Sequence, residues 1–539
     1  MKHAFFQLDS DNTFEIPDYM TDWTDKQKAD FIFEMLTTLP PYQVRQIVNR
    51  IGPHLQRDIV SQLPNELAIY TLGFLDVASL LQASQVSKSW QIICENPSLW
   101  RNLFECQGWE YDRAEINTYL LNAPTDEDYH ASCSGNNNNT ENSNSSNSSS
   151  GDARDKKSNT ATEEEGGSQQ PTEKNSIPIK RSSSPLINRK KLSKLYNIRN
   201  IKKHYDEPDY HYYPNSDTRF INWKRLYRNR HDIEQRWIQG DFKLRIFPPE
   251  NCPKSDLHGE GIYCLQFDKE KYVTGSRDHT IKIWDMSGKC KQTLRGHSGS
   301  VLCLQYDATS IISGSSDSNI MITSIDSGFV IRTLRGHQDS VLSLRLVNDD
   351  QIISCSKDRS LRLWNRETGE CVRVFLGHRA AVNAVQWKDK RVVSASGDRT
   401  ICIWDLDTGK CLKRLVSHSR GVACVEFDGT HIVSGSSDKT IKVWNAETGD
   451  CLFTLAGHVH LVRTVQIDSV ANRIVSGCYN GNLKMWNLQD GTLTRDLGQA
   501  TEGRVLNLKF DFTKIVCCSN QDKLVIYDFA DNISTKFLI

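Results

Sequence analysis

Between residues 258 and 530 the chain repeats one phrase seven times. Six copies open on a His (His258, His297, His337, His378, His418 and His458). Each then runs through an apolar stretch to a turn of the Ser-Gly-Ser-x-Asp kind and ends on an apolar residue, an aromatic one, and Asp or Asn. The closing aromatic slot falls at Trp284, Thr323, Trp364, Trp404, Trp444, Trp486 and Tyr527, with successive spacings of 39, 41, 40, 40, 42 and 41 residues. A unit this short cannot bury its own apolar face, so it must stack on its neighbours.

A period near 40 with this signature is that of a WD40 repeat, four short strands per blade, and seven copies imply an all-β seven-bladed propeller over 241–535. The turn Asp (Asp278, Asp317, Asp358, Asp398, Asp438) precedes the aromatic slot by six residues. A His, this Asp, a strand Ser or Thr and the indole can hydrogen-bond in series and so satisfy polar groups buried inside a sheet. Repeats three, four and five carry the whole set, as in His378, Ser394, Asp398 and Trp404, while Thr323, Asn480 and Gln521 are departures. These histidines therefore read as structural, not as metal ligands or bases. Lys243–Phe247 resembles an outer strand without inner strands of its own, and is expected to complete blade seven and leave no open edge.

Composition excludes several classes. Lys plus Arg and Asp plus Glu both number 66, which gives no hint of a nucleic-acid or membrane partner. No run approaches 18 apolar residues, and Met1–Thr21 lacks the pattern of a signal peptide. The 16 cysteines mostly occupy repeated strand positions (Cys264, Cys303, Cys424, Cys411), so buried free thiols in a reducing compartment, cytoplasm or nucleus, are expected. No catalytic constellation, metal spacing or phosphate-cradling Gly loop occurs, so neither an enzyme nor a cofactor is implied.

Ahead of the propeller the chain reads as a small all-α region. Residues 22–57 give two amphipathic helices on either side of Pro40-Pro41, with Phe31, Met35 and Leu36, then Val44, Ile47, Val48 and Ile51, at helical spacing. Residues 58–105 order Leu63-Pro64, Leu67, Leu72, Leu75, Leu80, Val86, Trp90, Leu99 and Trp100 in the pattern of an F-box, the bland alternative being a three-helix domain that packs on the propeller. Residues 125–204 form an insert in which 15 of the 19 residues 132–150 are Asn or Ser, a composition that cannot bury a core. Its basic end, nine Lys or Arg and no acid between Lys180 and Lys203, is either an import signal or a solvated tail. Residues 218–240 return to helical composition and are expected to bridge F-box and propeller.

Three positions per repeat should face the upper rim: three and five residues after the His, and one before the turn Asp. Among those 21 residues stand four cations and no acid. Arg277 with Ser300 and Ser316 combines a forked donor with hydroxyls, and Arg420, Gly421 and Ser437 add close backbone approach; both combinations suit a phosphate. Lys357, Arg463, Tyr479 and Arg504 supply further donors, and Leu302, Leu342, Ala423 and Leu461 an apolar floor.

The stretches GIYCLQF, GSVLCLQYD, CSKDRS, GHRAAVN, SASGDRTI, RGVAC and LVRTV resemble the beta-transducin-repeat-containing F-box (beta-TrCP) family. The resemblance runs from the helical pair at 22–57 through the last blade, leaving the insert aside. It implies a non-catalytic substrate receptor of an SCF-type ubiquitin ligase, its F-box docking the adaptor Skp1 and through it cullin and RING subunits. The propeller of such a receptor captures a doubly phosphorylated Asp-Ser-Gly-x-x-Ser degron. It further implies that Tyr263, Arg277, Ser300 and Ser316 hold one phosphoserine and Arg420, Gly421 and Ser437 the other. Lys357, Arg463 and Tyr479 would hold the degron Asp, Asn383, Ala423, Leu461 and Arg504 would line the channel, and residues 22–57 would form a homodimer. A WD40 scaffold without ligase function and a receptor for a Cdc4-type phospho-Thr-Pro degron remain as alternatives.

Overall fold

Seven copies of one apolar pattern become seven four-stranded antiparallel sheets, six of them following chain order from the innermost strand outward. In blade one these are Ile262–Phe267, Lys271–Ser276, Ile281–Asp285 and Cys290–Leu294. The middle strands read as apolar runs because neighbouring blades cover both their faces: in Lys271–Ser276 every residue after the first is buried. Outer strands have one face in solvent and alternate, as Cys371–Phe375 does. The cores lie between blades. Val393, Ile401 and Ile403 of blade four, for example, pack with Val422, Val425 and Trp444 of blade five. The computed structural model describes residues 23–55, 58–122, 210–213 and 216–539 except 500 and 502.

The ring closes as the sequence leads one to expect. Lys243–Phe247 pairs antiparallel with Leu524–Asp528, Lys243 opposite Asp528 and Phe247 opposite Leu524, and becomes the fourth strand of blade seven. Among the described residues all cysteines are free; most in the strands are buried, but Cys411 is exposed, because the outer strand turns that side of its pleat to water.

The chain divides into two compact units, residues up to Leu99 and residues from Trp100. The first is all-helical: α1 (Asp25–Thr37), α2 (Pro41–Leu55), α3 (Ile59–Gln62), α4 (Asn65–Leu72), α5 (Val77–Ala83), α6 (Lys88–Cys94) and the start of α7 (Pro97–Cys106). Thr24 and Gln27 form a reciprocal capping box at α1, and Asp76 and Ser87 cap α5 and α6. Ala68, Leu72, Leu80, Ala83, Cys94 and Leu99 make a small core, with Trp90 Nε1 donating to Asp58 at 2.7 Å.

In the second unit, α8 (Arg113–Asn122) precedes the hairpin Tyr210–Tyr213 with Ser216–Ile221, which the sequence did not suggest, and α9 (Trp223–Gln239). Asn222 caps α9, and Gly240 ends it at φ 71°, a left-handed conformation that Gly adopts without strain. Trp223, Leu226, Tyr227, Arg230, Ile233 and Trp237 form its buried face. Trp237 stacks on Phe529 with centroids 3.9 Å apart and donates to Phe512 O at 2.8 Å, while Arg473 lies over its other face. Glu234 pairs with both Arg230 and Arg473, all three largely buried. The expected bridging helix is thus welded to blades six and seven. The chain end is held too: Leu538 bridges to Tyr111, and Asp112 N donates to Phe537 O at 2.9 Å. The insert expected over 125–204, its basic run included, lies outside the described residues. Among those residues no helix is long and apolar enough to cross a membrane.

Candidate functional site at the propeller rim

The rim is built by a latch repeated in blades one to five. In blade three, Asp358 Oδ2 accepts from His337 Nδ1 at 2.8 Å and from the backbone N–H of Gln338 at 3.0 Å. Its Oδ1 accepts from Ser360 N and so holds the turn. His337 Nε2 meets Ser354 Oγ, which also accepts from Trp364 Nε1, both at 2.8 Å. One carboxylate therefore ties the turn between strands two and three to the loop entering strand one. Blades four and five repeat the set, and blade one does so with Thr274 as the hydroxyl. Burial acts to raise these carboxyl pKa values, but the converging donors outweigh it and hold Asp358, Asp398 and Asp438 down to about 2.

The latch explains why site residues fall at fixed offsets from His and Asp. It brings the residue three after the His against the residue before the Asp, and a backbone hydrogen bond joins them. Arg277 N donates to Gly261 O, Ser316 N to Ser300 O, Lys357 N to Ser340 O, Gly397 N to Ala381 O, Ser437 N to Gly421 O and Tyr479 N to Leu461 O, all between 2.9 and 3.0 Å. Blade seven differs: Arg504 N donates to the Asn520 side chain.

The backbone brings the residues of each cluster close together. Ser300 Oγ donates to Arg277 O at 3.4 Å, which places Arg277, Ser300 and Ser316 side by side across blades one and two. Arg420, Gly421 and Ser437 share one corner of blade five, where a Cβ on Gly421 would meet Gly397 at 3.2 Å. Tyr263, Asn383, Ala423 and Arg463 occupy the same place in four innermost strands. Asn383 donates to Val422 O at 2.7 Å and Arg463 to Ala423 O at 3.3 Å, each reaching the next blade or the one before it. Arg504 lies over Tyr479, 5.3 Å from the ring centroid. Leu461 is half-buried, and Ala423 is buried and offers little surface.

Two acids missed by reading only the 21 repeat positions stand beside the cations. Glu260 pairs with Arg277 at 3.0 Å and Asp339 with Lys357 at 3.5 Å. Both pairs are more than 40% exposed and open to exchange with an incoming anion. Arg420 and Arg463 form no ion pair among the described residues.

The sequence departures have local consequences only. In blade two His297, Asp317 and Ser313 still bond. Met321 takes the place against Gly296 that indoles take against Gly336, Gly377 and Gly457, and a small cavity beside buried Thr323 remains. In blade six Asn480 does not reach His458, whose buried Nδ1 has no partner among the described residues, and burial pushes that imidazole down to about 4.

In the helical unit the structure separates the expected adaptor contacts into two groups. Leu72, Leu80 and Leu99 are buried in its core, and Trp100 is likewise buried beside Tyr227. None of the four presents a surface: the short helices cannot form a core without the three leucines, and Trp100, which belongs to the second unit, packs against Tyr227 there. Pro64, Leu67 and Val86 are exposed, while Leu63, Leu75 and Trp90 are half-buried. Tyr70, Phe74 (75% exposed) and Ile92 (71%) join the exposed set. Helical spacing alone did not single them out, because at this length either face of a short helix can be the inner one.

The F-box-like family matches residues 60–106, and the WD domain, G-beta repeat family matches 251–285, 288–324, 328–365, 369–405, 409–445 and 449–487. The chain pairs an F-box-like segment with WD40 repeats. It is 34% identical over 289 residues to the F-box/WD repeat-containing protein lin-23 of Caenorhabditis elegans, covering 52% of this chain and 33% of that protein. Identity is 28% over 278 residues to F-box/WD repeat-containing protein 7 of Drosophila melanogaster, covering 51% and 14%. It is 27% over 378 residues to the probable E3 ubiquitin ligase complex SCF subunit sconB of Aspergillus clavatus, covering 61% and 49%. The chain thus spans half or less of the length of these relatives. Among solved structures, a computationally designed protein, Ika8, aligns with a TM-score of 0.43 and 27% identity, covering 50% of this chain and 97% of that one.

Proposed function

We propose that this chain is the substrate-recognition subunit of an SCF-type ubiquitin ligase and that its propeller rim binds a doubly phosphorylated Asp-Ser-Gly-x-x-Ser segment. The observation that carries this reading is the pair of Arg, Ser and Gly clusters, Arg277 with Ser300 and Ser316, and Arg420 with Gly421 and Ser437, on one rim with Arg463 between them. A phosphate carries close to two charges and three acceptor oxygens, and each cluster offers a guanidinium with short donors to match. The exposed apolar set of the helical unit supports docking of a Skp1-type adaptor, which would link the chain to cullin and RING subunits. The receptor itself performs no chemistry. Holding the substrate beside a ubiquitin-charged enzyme raises the effective concentration of its lysines.

Fluorescence anisotropy with the adaptor-bound protein tests the rim. The doubly phosphorylated peptide should bind, the unphosphorylated one should not, and Arg463→Ala should weaken binding by roughly 30-fold or more. Equal binding of both peptides refutes the reading, and preference for a phospho-Thr-Pro peptide replaces its ligand. We further propose that α1 and α2, whose Ile32, Phe33, Met35, Tyr42 and Val48 stand exposed, pair with a second copy of the chain. A monomer mass by light scattering overturns that.

A further inference from the structure

Below the rim, the fifth residue of each innermost strand forms a second tier in the central channel: Gln266, Gln305, Arg345, Gln386, Glu426, Gln466 and Lys509. The tier lies roughly 7–10 Å below Tyr263, Asn383 and Arg463 along the strands. Arg345 and Glu426 belong to blades three and five yet approach to 3.6 Å, and the charges of both act on Lys509 of blade seven. Non-adjacent blades can meet in this way only across the axis.

The hydrogen bonds of the tier fix which atoms it leaves over. Gln266 Oε1 accepts from Tyr306 N at 3.1 Å, Gln305 Oε1 from Leu346 N at 2.5 Å and Gln466 Oε1 from Phe510 N at 2.8 Å, each across to the next blade. A backbone N–H needs an acceptor, so the amide orientation is set and the three NH2 groups are turned away from these bonds. They have no partner among the described residues. Gln386 accepts from Arg345 Nε at 2.9 Å and donates to Glu426, which consumes the one carboxylate of the tier. No described carboxylate lies within ion-pair distance of the Lys509 ammonium. The unused groups are therefore donors, with two cations set against one anion.

We propose that this tier binds a small free dianion of sulfate or phosphate chemistry, held by Lys509, Arg345 and the amide groups of Gln266, Gln305 and Gln466. A segment held at the rim is too far above to place a short acidic side chain here. Burial pushes Lys509 down to about 8, with Glu426 acting to raise it and Arg345 to lower it, so the tier holds its full charge only below that pH.

The test is thermal melting of the full chain carrying Arg277→Ala and Arg420→Ala, so that the rim does not respond, in sulfate and in chloride at equal ionic strength. About 10 mM sulfate should raise the Tm by roughly 2–4 °C over chloride at pH 7. That increment should fade as the pH passes about 8, since sulfate itself does not titrate there and Lys509 does. It should vanish in Lys509→Met and in Lys509→Gln; the second variant keeps an amide donor and safeguards the test should the first fail to fold. A sulfate increment that survives both substitutions overturns the site. So does a parent that ignores sulfate while Lys509→Met melts higher, for Lys509 would then be merely an uncompensated cation.

Discussion

In the helical unit Leu67, Tyr70, Phe74, Val86 and Ile92 stand in solvent, whereas in the propeller the repeat's Trp residues lie within 2% of full burial. What the propeller rim presents instead is Arg, Lys, Ser and Gly. A sheet covered on both faces by neighbouring blades has room for its large side chains; a few short helices do not. The difference also has a functional side. On the proposed function, the exposed apolar set would serve a permanent partner and the exposed cations a ligand that comes and goes with phosphorylation.

The strongest challenge to the comparison is to open the ring. Deleting 241–249 removes the fourth strand of blade seven and leaves Leu524–Asp528 as a bare edge. The Tm of the propeller should then fall by roughly 10 °C or more in calorimetry. A fall of a degree or two would mean that the blades are held by their inner strands alone and that closure contributes little.

Next in size is Phe74→Asp. Its side chain is exposed and in edge contact with Tyr70 at 5.1 Å, so the fold should tolerate the change. If the apolar set is a docking surface, a central aromatic contributes about 2 kcal/mol or more, and adaptor binding measured by calorimetry should weaken at least ~30-fold. Phosphopeptide binding should stay as it was. The reciprocal Arg420→Ala should spare the adaptor, and a loss of both activities from either change would end the division of labour argued above.

Much of this was legible in the sequence because the propeller is periodic. A latch made of one His, one Asp, one hydroxyl and one indole must recur at the same offsets, so the rim positions could be counted off without coordinates. The acids Glu260 and Asp339 lay just outside that count. Nothing in the spacing of Glu260 says that it folds back onto Arg277, since the contact depends on side-chain direction. In the helical unit the failure has another cause. Leu72, Leu80 and Leu99 carry the same residue type and spacing as surface-facing Leu67, and only the packing of neighbouring helices decides which are inside. The inner face of α9 was legible as a helix, but its pairing of Glu234 with Arg473 joins residues 239 apart.

Within the propeller the comparison sharpens between blade six and blade four. Blade four gives His378 both Asp398 and Ser394, while blade six leaves His458 with Ser476 alone. Asn480 still holds its turn, accepting from Asn482 N at 3.3 Å, but among the described residues it bonds neither His458 nor the backbone N–H of Val459, the counterpart of the Arg379 N–H that Asp398 accepts in blade four. Asn480→Asp should restore the missing acceptor and stabilise the domain by about 1–2 kcal/mol at neutral pH in urea unfolding. The sign of its pH dependence follows from His458. Its folded value of about 4 lies below the unfolded value near 6.5, so the unfolded chain binds the extra proton first. Stability from keeping this imidazole neutral is complete above about pH 6.5 and is lost as the pH falls toward 4. A carboxylate beside Nδ1 raises the folded value and shrinks that loss, so the advantage of the variant should widen in mild acid. A gain that instead narrows between pH 6.5 and 5 would show that the introduced carboxylate does not reach the ring, and that the latch depends on more of the turn than this one side chain.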